Sequence, residues 1–318
     1  SWTLPFRGTG RPLRVLLLAS ARGGDVVLQP FLDDRSIETT MFVPEGFKAD
    51  VPLPPHDVVF NGIGDAERCG RALACIRALL GATAAAVIND PERVSASGRA
   101  QIERRFAAIP GLVVPRTERI ARADLTSGAL ATDGWTFPLL VRSPGFQGGA
   151  HFERADEPEL LGGAVAALPG AELLAIAFID TRGADGRFRK YRVLVVDGAL
   201  YPVHLAIASR WKVHYYSSEM AEHAAHRAEE RRFLDDMRGA LGAPAVAALE
   251  RAAHALGLDY GGIDFGLDRA GNVVIFEANA TMAVYAPPAE ERWAYRQPAF
   301  DAIVAAVRAL IESRAAPN

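Results

Sequence analysis

Apolar positions along this chain gather into short runs of strand length separated by stretches with helical spacing. The run from Leu13 to Ala19 is continuous, ends in the small residues Ser20 to Gly24, and predicts a buried parallel strand followed by a loop. Thr39 to Val43, Asp57 to Phe60 and Ala85 to Ile88 are further runs of this kind, and a helix is predicted over 65–80 between the last two. Strands alternating with helices predict an open parallel α/β sheet over residues 1–110, preceded by a tail at 1–12. Ligands of such sheets sit beyond the carboxyl ends of the strands, here near Ser20–Gly24, Asn61–Asp65 and Asn89–Pro91.

Beyond a helix predicted over 94–109 the pattern changes. Residues 111–178 predict a small α+β unit with strands at 111–117, 137–142 and 173–178, a helix at 156–167, and a glycine-bearing loop, Ser143 to Gly149. In 179–318 the run Phe188 to Val196 turns at Asp197-Gly198 into Leu200 to His204, a strong hairpin signal. Helices are predicted over 219–241, 244–256 and 298–313. Between the last two lies a second hairpin: Gly262 to Gly266, the turn residues Asp268 to Asn272, and Val273 to Phe276.

That second hairpin carries the acid groups. Asp264 lies on its first strand, and Glu277 and Asn279 end its second, two residues apart and therefore on one face. One or two carboxylates and an amide, completed by phosphates and water, are what a magnesium ion prefers. Facing them in the pattern are cations. Arg142 ends a strand before the Ser143–Gly149 loop, whose amides suit phosphates. Lys190 and Arg192 alternate with apolar residues and share a strand face, and His204, Lys212 and His214 follow nearby. The chain has 32 Arg but only three Lys, at positions 48, 190 and 212, so two of the three lysines fall in this region. A basic wall opposite an acidic hairpin suits phosphoryl transfer, which needs charge neutralised more than covalent help.

Composition narrows the classes. With 318 residues, half of them apolar, the chain can bury a large core. A net charge of -3 without a long basic run favours neither nucleic acid nor a membrane surface as partner, and no apolar stretch reaches the roughly 18 residues of a span. The chain reads as cytoplasmic, and Cys69 and Cys75 as two buried thiols. A P-loop, a nucleophile elbow and a zinc-protease motif are all missing, and Gly62-Ile63-Gly64 falls short of a dinucleotide fingerprint.

With Asp264, Glu277-Ala278-Asn279, the glycine loop and the order of three units in place, the chain resembles the ATP-grasp superfamily, in particular carboxylate-amine ligases of the glutathione synthetase and ribosomal-protein glutamate ligase type. The resemblance covers about residues 85–285. It implies an N-terminal open parallel α/β domain (1–110), a central lid (111–178) and a C-terminal antiparallel-sheet domain (179–318). It also implies ATP contacts at Arg99, Arg142, Gly148, Gly149 and the hinge Ala177-Phe178-Ile179, with Asp180 at the ribose; magnesium at Asp264, Glu277 and Asn279; and a catalytic role for Arg192, to which the shared strand face adds Lys190. His204, Lys212 and His214 are assigned to the substrate. Two phosphate positions that are usually lysine in the family are arginine here, and Ala177 stands where an acidic residue is common. The implied activity joins a small acidic or zwitterionic carboxylate to an amine through an acyl phosphate, with a homo-oligomer as the candidate assembly. A small-molecule kinase and a non-catalytic nucleotide-binding module are the alternatives.

Overall fold

In the computed structural model, which describes residues 1–126, 134–146 and 149–316, the strand runs assemble into three sheets. The first comprises Trp2–Thr3 (β1), Leu13–Leu18 (β2), Ile37–Phe42 (β3), Val58–Asn61 (β4) and Ala86–Ile88 (β5), in the order β1-β3-β2-β4-β5. The other four, β3, β2, β4 and β5, are parallel, as the alternation of strands and helices predicts, whereas β1 pairs antiparallel with β3. The predicted tail therefore contributes an edge strand, too short to leave a periodicity. Helix Gly70–Leu80 covers the sheet through Ala72, Leu73, Ile76 and Leu79, an apolar stripe at helical spacing. Cys69 is buried there, while Cys75 is only partly so, because its position faces away from that stripe.

The connection to the second sheet is more broken than predicted. In place of one helix there are two, Pro91–Ser95 and Arg99–Phe106. Asp90 caps the first by accepting from the Glu92 and Arg93 amides at 2.8 and 3.3 Å, and extended Gly98 ends the continuity, leaving Arg99 to open the second. Leu112–Val113 (β6) then joins the C-terminal sheet, parallel to its last strand. Thr117–Ala121 (β7), Leu139–Arg142 (β8), Phe152–Ala155 (β9) and Glu172–Ala177 (β10) make the small antiparallel second sheet in the order β7-β10-β8-β9. Its core of Leu139, Val141, Leu173, Ala175 and their neighbours is its own.

The third sheet holds Phe188–Val196 (β11), Ala199–Ala208 (β12), Tyr260–Leu267 (β13) and Val273–Asn279 (β14), with β13 between β11 and β14. The two predicted hairpins are β11/β12 and β13/β14. The single helix expected over 219–241 is divided into Ala224–Asp235 and Met237–Leu241, since Asp236 leaves the helical region to cap the Gly239 amide at 2.8 Å. Helix Ala243–Leu256 ends at Gly257, whose φ of +66° is the left-handed cap that glycine supplies. No described helix is long and apolar enough to cross a membrane.

The first and third sheets share cores. Val15, Leu17 and Phe60 pack with Leu194, Tyr260 and helix Gln297–Ala315, and Tyr260 meets Phe31 and Phe60 edge-on at 5.9 and 6.0 Å. The join is pinned by Asn89, fully buried and at φ +62°, a conformation asparagine tolerates better than most residues. Its side chain donates to Tyr260 O at 2.8 Å and accepts from Tyr260 N at 2.9 Å, and its own amide donates to Asp259 at 2.8 Å. Gly64 adds a close approach, because a Cβ there would lie 2.7 Å from the Ala280 backbone.

Asn89→Ala strands both Tyr260 backbone groups. It is expected to lower the free energy of unfolding by about 2–4 kcal/mol, measured by urea denaturation; a loss under about 0.5 kcal/mol would show that the pin is dispensable.

Candidate functional site

Register places the chemistry in one row across four strands. His204 on β12 stands opposite Arg192 on β11, Arg192 opposite Asp264 on β13, and Asp264 opposite Glu277 on β14. Residues directly opposed across an antiparallel ladder project from the same face. Lys190 and Asn279, each two positions along its strand, join that face.

Asp264 is only 2% exposed, and both its oxygens are taken. Arg192 donates from Nε to Oδ1 at 2.6 Å and from Nη2 to Oδ2 at 2.9 Å, and Lys190 Nζ reaches Oδ2 at 2.8 Å. Burial alone would raise the pKa of this carboxyl; the charges of Arg192 and Lys190 outweigh burial and hold it well below the usual carboxylate range. Arg192 shows the counterpart, with burial lowering its pKa and Asp264 more than restoring it. At the end of the row Glu277 Oε1 accepts from Arg99 Nη2 at 2.5 Å and from Asn279 Nδ2 at 2.8 Å. The Asn279 Oδ1 in turn accepts from the Thr281 amide and hydroxyl at 2.9 and 2.7 Å.

Arg142 approaches from the second sheet. It is 7% exposed, donates to Phe146 O within its own loop, and lies 5.4 Å from the centre of the Phe152 ring. Burial, then the neighbouring charge of Arg99, pulls its pKa down to about 10. The charges of Glu277, Glu67 and Asp65 offset only part of that pull.

These groups surround a cleft of about 560 Å³ between the sheets. One end is apolar, walled by Val114, Leu140, Ile176, Phe178, Phe188 and Ile275. Arg154 lies 4.4 Å over the Phe178 ring there. The middle carries Arg99, Arg142, Lys190 and Arg192, and the far end reaches Gly24, Asp65 and Arg68 on the first domain.

Along nearly its whole length this arrangement matches solved structures. VanG D-Ala:D-Ser ligase from Enterococcus faecalis superposes at a TM-score of 0.58 with 12% identity, over 95% of this chain and 100% of that one. D-alanyl-alanine synthetase A from Vibrio cholerae gives 0.59 and 13%, over 96% and 99%. A RimK domain protein ATP-grasp from Sphaerobacter thermophilus gives 0.55 and 14%, over 93% and 99%. The chain has the ATP-grasp fold. No protein-family profile matches it, and no curated protein matches it in sequence.

Within this ATP-grasp fold the site residues expected from sequence separate into those that meet and those that do not. Arg99, Arg142, Gly149, Phe178, Ile179, Lys190, Arg192, Lys212, His214, Asp264, Glu277 and Asn279 all line the one cleft. Gly148 lies outside the described residues. Asp180 is turned to Arg182, at 2.7 Å, and it is Thr181 that lines the wall. His204 shares the face of Arg192 but is 7% exposed and does not line the cleft, its ring lying 4.6 Å from that of Tyr215. Burial, and then the Arg192 charge, holds its pKa well below the ordinary histidine value, so the ring is neutral. His214 is depressed by burial and by Lys190 and Arg192. Asp65, Arg68 and Tyr285 line the cleft without having been singled out. For Asp65 a signal existed, namely its place in the loop at the carboxyl end of β4.

Asp264, Glu277 and Asn279 carry the oxygen chemistry a hard cation uses, although here Asp264 is paired with Arg192 and Lys190, Glu277 with Arg99, and Asn279 Oδ1 with Thr281. Among the described residues no group of three or more His, Cys, Asp or Glu side chains is arranged to hold a metal ion by itself. Two carboxylates and an amide are the incomplete set that magnesium uses together with phosphates.

Asp264→Ala leaves Arg192 and Lys190 confined without their anion, and is expected to lower the free energy of unfolding by about 3–5 kcal/mol. Guanidinium denaturation checks this; a change below about 1 kcal/mol would mean that the two cations are solvated in place.

Proposed function

We propose that this chain is an ATP- and magnesium-dependent ligase that joins a carboxylate to an amine through an acyl phosphate. The observation that carries the reading is the row Arg192, Asp264, Glu277 facing Arg99 and Arg142 across a cleft whose one end is apolar. An adenine fits the apolar end and the triphosphate the cationic middle. The acceptor end, near Asp65, Arg68, Lys212 and His214, offers charges of both signs and suits a zwitterion. Ligases of D-alanine and D-serine among the solved likenesses support the same class.

Arg99 and Arg142 would bind the β- and γ-phosphates as charged forks. Phosphates drawing Arg99 away would leave Glu277 open. Magnesium, held by Glu277 and Asn279 with Asp264, would supply Lewis-acid neutralisation of the transferring phosphoryl group. A substrate carboxylate oxygen attacks the γ-phosphorus and ADP leaves. The amine nitrogen then attacks the acyl carbon, inorganic phosphate leaves with the bonding pair, and the amine proton passes to solvent. Arg192 is placed to stabilise the acyl phosphate because Asp264 fixes its guanidinium by two hydrogen bonds, so little reorganisation is needed as charge develops. Lys190 adds charge beside it. Approach of the second sheet, with Arg142 and Phe152, to the third across the cleft would exclude water from the acyl phosphate.

The test is product mass spectrometry with ATP, magnesium and pools of amino acids, dicarboxylates and amines. A condensed product with ADP and phosphate supports the ligase. A phosphorylated acid formed without any amine would mark a kinase, and tight ATP binding with no ADP under any pool a nucleotide-binding module. Glu277→Ala is expected to reduce ADP formation by about 10²–10⁴-fold while leaving the circular dichroism spectrum unchanged; retained turnover would remove the metal assignment.

A further inference from the structure

The acceptor side of the cleft is built from a segment with little regular structure of its own. Between β12 and helix Ala224–Asp235 the chain makes only the short 3-10 turn Tyr215–Ser217, yet Trp211, Lys212, Val213 and His214 of this segment line the cleft. Trp211 meets Phe152 edge-on at 5.1 Å, and Lys212 Nζ lies 3.5 Å from Glu153, both on β9 of the second sheet. These are partly solvated contacts of modest strength. What fixes the segment lies behind it.

Glu230, on helix Ala224–Asp235, is fully buried, and Arg296 is 6% exposed. Arg296 donates to Glu230 Oε2 from Nε at 3.0 Å and from Nη2 at 2.6 Å, and the Tyr295 hydroxyl donates to the same oxygen. Glu230 Oε1 accepts from the amide of Leu205, an outward-facing group of edge strand β12 next to His204. The remaining nitrogen of Arg296, Nη1, donates to the Tyr215 hydroxyl, with the guanidinium 4.0 Å from the Trp293 ring and 5.1 Å from that of Tyr215. Tyr215 in turn packs on His204, the cross-strand partner of Arg192. Burial raises the Glu230 pKa against the pull of Arg296, so desolvation of this pair is costly. Apolar residues of similar volume are commonly as stable or more so at such places. What they lack is a directed donor, and here that donor ends on Tyr215.

We propose that the buried Glu230–Arg296 pair is a positioning device for the reaction, holding the 209–219 segment through Tyr215 so that Lys212 and His214 stand at the acceptor side of the cleft. The inference rests on the reading that this cleft takes MgATP and an acidic or zwitterionic substrate. Glu230, Arg296 and Tyr215 are positioning residues, and none of them lines the cleft.

Two variants of the full chain test it: Glu230→Leu with Arg296→Met, which removes both charges together, and Tyr215→Phe, which removes one hydroxyl and keeps the ring on His204. Amide hydrogen exchange over residues 211–217 is measured without ligand. Acylation of Lys212 by an amine-reactive ester is measured with and without MgATP, and is simple to assign because the chain has three lysines. Both variants are expected to keep the melting temperature within about 5 °C. Exchange in the segment should rise about tenfold, the consequence of one lost charge-assisted hydrogen bond. Protection of Lys212 by MgATP, expected because its stem lies 3.6 Å from where a Cβ of Gly149, a proposed ATP contact, would stand, should fall by a similar factor, with MgATP affinity changed less than about threefold. Wild-type exchange and wild-type Lys212 protection in folded variants would overturn the proposal and leave the pair a stability element. If the double variant does not fold, Tyr215→Phe decides alone. Faster segment exchange in a protein whose wild type binds no MgATP would overturn the functional reading while upholding the link from the buried pair to the segment.

Discussion

Asp264 and the two cations that hold it are mutually dependent. A carboxylate 2% exposed on a central strand is tolerable only because Arg192 and Lys190 neutralise it, and two cations side by side are tolerable only because Asp264 lies between them. That mutual requirement fixes the register of β11 on β13 as firmly as the apolar pattern does. A slip of one residue would turn Arg192 into the core shared by Tyr191, Val193 and Phe265, and strand an unpaired charge there. Stability and chemistry are therefore joined in one place, since the contact that makes the strand pairing tolerable also aims a guanidinium at the cleft.

The rest of the architecture keeps that row rigid on one side of the cleft and leaves the other side to a separate unit. The first and third sheets share two cores and are stitched by Asn89, so Asp264, Glu277 and Asn279 sit on a single body. The second sheet has its own core and brings Arg142 across the gap. Arg99, at the start of a helix between the two, bridges to Glu277 at 2.5 Å. Of the two cations from outside the third sheet, Arg99 meets a carboxylate upon it, Glu277, and Arg142 bonds the carbonyl of Phe146.

Much of this was legible in the chain, and the parts that were not share a cause. Turn chemistry at Asp197-Gly198 and Asp268–Asn272 gave both hairpins, and the spacing of Glu277 and Asn279 gave a common face. The strands β7 and β9 were missed because their residues, Thr-Glu-Arg-Ile-Ala and Phe-Glu-Arg-Ala, carry too little apolar alternation to register. The row from His204 to Glu277 needs cross-strand register, which irregularities at Arg192/Val193 and Asp264/Phe265 shift in ways that no single strand reveals. Histidine next to a basic strand looked like a substrate contact, yet His204 is buried against Tyr215 and does not line the cleft. Glu230 and Arg296 lie 66 positions apart in two helical regions, where each reads as an ordinary charge.

The preference for arginine over lysine acquires a physical sense from these contacts. At three places a guanidinium does what an ammonium, a compact point charge, does poorly. Arg192 grips Asp264 with two parallel donors, Arg296 serves Glu230 and Tyr215 at once from different nitrogens, and Arg142 donates to Phe146 O while lying near the face of Phe152. Each combines a charge with a direction. The two lysines at the cleft, Lys190 and Lys212, make single contacts to one carboxylate each. Where position must be fixed the chain uses a planar fork, and where only charge is required it retains an ammonium. If Arg142 takes the phosphate role proposed for it, the arginine keeps the positive charge that a lysine would bring and adds a second duty, a hydrogen bond to Phe146 O, so that the grip on an anion and the position of Phe146 depend on one side chain.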